Sequence, residues 1–106
     1  MITKERFLDR IDTICNSPET FGLSAASISV FIKLGNLIIE AVERLEIPYP
    51  FLYGYQDVQD WFQLEWSMQN SWSIEAYIDL NSKNSTISFF NIDNDEEYEF
   101  ELRLDI

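Results

Sequence analysis

The spacing of apolar residues changes once along this chain, across residues 47–60. Before that stretch it is helical. Phe7, Ile11 and Ile14 recur every three or four residues, Leu8 and Cys15 widen the stripe, and Lys4, Glu5, Asp9 and Asp12 lie opposite. This predicts an amphipathic helix over 3–15 with Thr3 as its cap. Asn16-Ser17-Pro18-Glu19 breaks that helix and offers an entry to the next, since proline is tolerated in a first helical turn. From Ser24 to Glu46, residues Ile28, Phe31, Ile32, Leu34, Leu37, Ile38, Ala41, Val42 and Leu45 form a wide apolar band. The band predicts a long helix covered on most of its surface, with Ser24 or Ser27 as N-cap. Gly35 costs about 1 kcal/mol of helix propensity, so its expected purpose is close packing against another element. Pro48 ends the helix.

After residue 60 the period is two. Phe62–Met68, Trp72–Leu80 and Tyr98–Ile106 alternate apolar with polar residues, and Thr86–Ile92 does so more weakly. Alternation of this kind predicts half-buried strands. The turns between them, Gln69–Ser71, Asn81–Ser85 and Asp93–Glu97, are short, which implies antiparallel neighbours. The expectation is an α+β fold: two N-terminal helices packed on one face of a four-stranded antiparallel meander. It forms one domain over 1–106, helical in 1–46, with an aromatic linker at 47–60 and a sheet over 61–106.

The linker run IPYPFLYGYQD (47–57) is unusually apolar and aromatic for a connection. Pro48 and Pro50 hold it extended, and its rings suit a plug at the open end of a helix-on-sheet sandwich. Alternatively, Tyr49, Tyr53 and Tyr55 form a partner-binding platform, because tyrosine offers large contact area with a polar tip.

Period two also sorts the carboxylates. The sheet face away from the helices is expected to carry Glu65, Glu75, Asp79, Glu99, Glu101 and Asp105, opposed only by Arg103. The weaker strand departs from the scheme. Either Phe90 and Ile92 point outward with the acids, or a bulge at Phe89-Phe90 buries both rings.

Composition sharpens this picture. The 106 residues hold 7 basic and 19 acidic side chains, a net charge of −12. Residues 1–50 contribute −2 and residues 51–106 contribute −10, so the acidity belongs to the sheet half. Nucleic acid and anionic membranes both require a basic footprint and are excluded as direct partners; a protein with a basic surface is attracted. One cysteine, Cys15, excludes an internal disulfide and fits a reducing compartment. The N-terminus lacks the apolar run of a signal peptide, and Ser29, Lys33, Gly35 and Asn36 interrupt the longest apolar stretch. A cytoplasmic location is expected.

The usual catalytic groups are missing. There is no histidine, and three glycines cannot build a phosphate-cradling loop. Asp93-Asn94-Asp95-Glu96-Glu97 fails calcium-loop spacing, since Glu97 and Tyr98 stand where Asp/Asn and Gly belong. No cofactor or metal is expected. Ile47-Pro48-Tyr49-Pro50, Gln63-Leu64-Glu65-Trp66 and Trp72-Ser73-Ile74-Glu75 together resemble a P-x-P, L-E-W, I-E strand pattern in small uncharacterised bacterial proteins. That resemblance covers 47–80 and implies a sheet, with no function attached. In size and acidity the chain resembles anti-defence proteins of mobile elements, including anti-CRISPR inhibitors. The functional expectation is a non-catalytic inhibitor that occupies the basic, nucleic-acid-binding surface of a partner. The alternatives are an immunity protein or antitoxin against a cognate toxin, and a structural subunit that dimerises through its last strand.

Overall fold

The computed structural model describes residues 2–106. Helix α1 (Lys4–Asn16) and helix α2 (Ile28–Leu45) precede five strands: β1 (Phe51–Gly54), β2 (Trp61–Ser67), β3 (Trp72–Asp79), β4 (Asn84–Asn91) and β5 (Glu97–Arg103). The strands form one antiparallel meander in chain order. The fold is therefore α+β as expected, with five strands instead of four. The extra strand is the middle of the aromatic linker. Its alternation was hidden by flanking prolines, but Leu52 pairs with Leu64 and is buried, while Phe51 and Tyr53 point the other way.

Local chemistry sets the helices. Thr3 Oγ1 accepts the Arg6 N–H at 3.2 Å and caps α1. Pro18–Phe21 and Ala25–Ser27 are single 3₁₀ turns joined through Gly22, whose φ of 70° is left-handed. Neither Ser24 nor Ser27 caps with its side chain; the hydroxyl of Ser24 is instead committed to Asp60. Helix α2 buries Phe31, Leu34, Gly35, Ile38 and Val42, leaving Ile32, Leu37 and Leu45 exposed. One face is covered, less than the wide band predicts. The segment Ala25–Leu45 is long and apolar enough to span a bilayer by length and composition alone; here it carries the core. A Cβ on Gly35 would meet Ile11 Cδ1 at 3.1 Å, so the glycine does allow α1 and α2 to pack closely.

The core lies between the helices and the inner sheet face. Phe7 and Ile14 of α1 and Phe31 of α2 meet Leu52, Phe62, Leu64, Ala76 and Ile78. Phe31 and Phe62, both fully buried, pack at 4.7 Å between ring centroids. Burying rings of this size contributes about 2–3 kcal/mol each. Pro50 is fully buried, so part of the linker does plug the core.

The two sheet edges differ. At β1, the Arg10 Nε donates to the Leu52 carbonyl at 2.9 Å, and Ile2 bridges to Tyr49. At the other edge, every residue of β5 is exposed. The alternation of Tyr98–Ile106 predicts a half-buried strand; the structure gives β5 no helix to lie under.

Candidate functional site: the outer sheet face

Strand register places the outward residues in rows. One row reads Phe51, Glu65, Glu75, Ser88, Glu99 across β1 to β5. The next reads Tyr53, Gln63, Tyr77, Thr86, Glu101. The third reads Trp61, Asp79, Asn84, Arg103. Glu65 and Glu75 therefore sit directly opposite each other, and like charges so placed repel. The two salt bridges among the described residues, Lys4–Glu43 and Arg44–Glu40, both lie on the helices. No outer-face carboxylate joins one.

Of the nine residues expected to bind a partner, five lie in the first two of these rows: Glu65, Glu75, Glu99, Glu101 and Tyr53. Asp79 is on the face but is committed to its own turn, its Oδ1 accepting the Asn81 N–H at 2.9 Å and the Ser82 N–H at 3.5 Å. Asp105 is exposed beyond the end of β5, outside the paired register. Tyr55 follows β1 and reaches the face, donating its hydroxyl to Gln63 Oε1 at 3.0 Å. Tyr49 does not. Its ring packs on Phe7 at 5.6 Å and its hydroxyl donates to Glu43 Oε1 at 3.3 Å, so it belongs to the helix side.

The face also holds an aromatic ladder that alternation along single strands does not reveal. Phe51 stacks on Tyr53 at 6.3 Å, Tyr55 packs on Trp61 at 5.6 Å, and Trp61 stacks on Tyr77 at 5.4 Å. Its signal was present: Trp61 and Tyr77 share odd parity with Glu65 and Glu75. What was missing was the strand status of 51–54, without which Phe51 and Tyr53 have no row. Phe90 also points outward, opposite Ser73 and Glu97. The ladder of β3 with β4 runs unbroken from Trp72–Asn91 to Asp79–Asn84, so no bulge buries both rings and only Phe89 turns inward. Ile92 lies past the end of β4 and is exposed.

Electrostatics on this face follow from crowding of negative charge. The Tyr77 hydroxyl donates to Glu75 Oε2 at 2.5 Å, and a phenolate there would sit against that carboxylate. This hydrogen bond, with burial and the charge of Glu75, pushes Tyr77 up to about 12. Burial and Glu65 raise Tyr53 in the same direction. On the helix side Lys4 is raised and Glu43 lowered by their mutual hydrogen bond, and burial raises Cys15. All of these shifts move groups away from neutral pH, the opposite of what general acid–base catalysis uses. Among the described residues no group of three or more His, Cys, Asp or Glu is arranged to hold a metal ion.

Aromatic surface beside carboxylates that join no salt bridge is chemically matched to guanidinium and ammonium groups, which pair with acids and lie over rings. Comparison with family models, with curated proteins and with solved structures finds no match to this chain.

Proposed function

We propose that this chain is a non-catalytic protein-binding protein whose outer sheet face covers a basic, nucleic-acid-binding surface of a partner, as an inhibitor of the anti-defence type. The observation that carries this is the pair of rows that set Glu65, Glu75, Glu99 and Glu101 together, with no salt bridge to the chain's own cations, next to Phe51, Tyr53, Trp61 and Tyr77. Solubility alone is served as well by mixed charge. Carboxylates gathered in register mimic the charge that such a partner normally meets on nucleic acid, and they speed encounter. The rings add area that salt does not screen.

A second reading, an immunity protein or antitoxin, is favoured by one observation: Tyr53 and Tyr55 lie on the same face as the acids and supply tyrosine-rich contact. The test for both is recovery of partners from native lysate with the native chain and with a Glu75→Lys/Glu99→Lys variant. The expected result is a basic protein held by the native chain, displaced by added duplex nucleic acid and lost in the variant. A nuclease complex favours the first reading, a toxin encoded alongside favours the second, and equal recovery by native and variant chains removes both.

A further inference from the structure

Strand β5 is unfinished on two sides. Its sequence, Glu97-Tyr98-Glu99-Phe100-Glu101-Leu102-Arg103, has the alternation of a strand that buries one face. Yet Tyr98 is 52% exposed, Phe100 52% and Leu102 51%. These three share the inner sheet face with Phe89, Ile87 and Ser85, their partners on β4. Phe100 meets Phe89 edge-on at 5.9 Å. From Phe89 the apolar surface continues into a recess of about 340 Å³ between α2 and the sheet, lined by Leu37, Ala41, Leu45, Ile74 and Ile87. The far edge of β5 has no neighbouring strand. At the opposite end of the sheet Arg10 and the Ile2–Tyr49 bridge close the edge, so this fold guards one edge and leaves the other open. Natural sheets guard exposed edges against pairing, and an open one is a template for a strand.

We infer that the β5 edge accepts an extended segment of the partner as a sixth strand, and that this segment alternates apolar with basic residues. The inference rests on the proposal of a basic partner and adds how that partner attaches. The chemistry of the segment is dictated by β5 itself. On the helix side its neighbours are Tyr98, Phe100 and Leu102, which require apolar company. On the outer side they are Glu97, Glu99 and Glu101, which require positive charge. A second copy of this chain meets the first requirement and only half of the second. Two β5 strands paired antiparallel about Phe100 set Glu99 against Glu101 of the other copy, twice, and Glu97 against Arg103, twice, whereas a segment with a basic residue at each outward position answers all three glutamates. Backbone pairing supplies affinity in such an arrangement, and the alternating side chains supply register and specificity.

The test uses two synthetic peptides of identical composition, one alternating valine with lysine and one holding them in separate blocks. Each is titrated into isotope-labelled protein at low salt, with amide shifts and hydrogen exchange as readouts. The alternating peptide is expected to shift and protect the amides of residues 97–103. It should bind about tenfold more tightly than the block peptide, the sum of a few cross-strand pairs. Phe100→Lys, at a half-exposed position, should weaken the alternating peptide by about tenfold as well while the spectrum stays folded. Equal binding of both peptides, centred on Glu65, Glu75 and Tyr77, would overturn the sixth strand and leave the basic-partner proposal standing. Binding of neither overturns the sixth strand. Protection of β5 in the peptide-free protein, together with a dimer in sedimentation, overturns it in favour of a second copy.

Discussion

Both carboxylate oxygens of Asp60 are taken by Ser24: the backbone N–H donates to Oδ1 at 2.8 Å and the hydroxyl to Oδ2 at 2.7 Å. Asp60 is 2% exposed and sits at the entrance to β2, while Ser24 opens the turn into α2. The backbone of Asp60 extends the clasp, donating to the Gly22 carbonyl at 2.7 Å and accepting from Leu80 N–H at 2.8 Å. One residue thus ties the helical half to β2 and to the end of β3. Replacement Asp60→Ala leaves the Ser24 N–H unpaired and places alanine at a φ of 57°. It should cost about 3 kcal/mol, since buried donors robbed of a charged acceptor are expensive. Asp60→Asn keeps an acceptor and tolerates the left-handed backbone, so it should cost roughly half as much. Urea unfolding of the two variants measures both.

The glycines make opposite predictions. A Cβ on Gly22 would lie 2.4 Å from the Tyr55 carbonyl oxygen and 2.9 Å from that of Val58, both backbone atoms, at a φ of +70°. Gly22→Ala should therefore destabilise by roughly 2–4 kcal/mol. Gly35→Ala meets only the end of the Ile11 side chain, within a helix that gains about 1 kcal/mol of propensity. Its net effect should stay within about 1 kcal/mol of zero. Denaturation midpoints of the two variants separate backbone strain from side-chain crowding.

Alkaline titration should single out Tyr77. Its ionisation near pH 12 lies above the ordinary tyrosine value of 10.0. The folded state holds this proton more tightly than the unfolded chain does. Tyr77 therefore contributes stability in full below pH 10, and the contribution declines as pH rises through 12. Ultraviolet absorbance should show Tyr77 as the last phenol to titrate, beyond Tyr49 and Tyr53, which are also raised, and Tyr77→Phe should remove that last phase. An identical titration curve for the variant would contradict the Tyr77–Glu75 hydrogen bond.

Two phenylalanines of similar sequence context should behave differently. Phe62→Ala opens a cavity in the core and should cost about 3–5 kcal/mol. Phe100→Ala, on the bare edge, should cost less than about 1 kcal/mol in the isolated chain. Thermal unfolding of both variants provides the comparison. A large cost at Phe100 would mean that β5 is already covered in solution.

Periodicity alone was enough to place α1, α2 and four of the strands, because helical and two-residue repeats leave an unmistakable trace in 7 to 18 consecutive positions. It also put Glu65, Glu75, Glu99 and Glu101 on one face, since parity along a strand is local. The fifth strand was less visible. Residues 51–54 are too few for alternation to stand out beside Pro48 and Pro50. Part of the aromatic ladder went with it: Phe51 and Tyr53 have no row without that strand, and Trp61 meets Tyr77 only through the pairing of β2 with β3.

What the amino-acid order determined by itself was which face each side chain takes within its own strand or helix, and the concentration of negative charge in the second half. Tertiary structure alone decided which of those faces are covered. Tyr98, Phe100 and Leu102 carry the same alternation as Phe62 and Leu64, yet only the latter lie beneath the helices. Two helices are too narrow to roof five strands. Burial depends on what lies across the sheet, and a repeat along one segment holds no record of how far its neighbours reach.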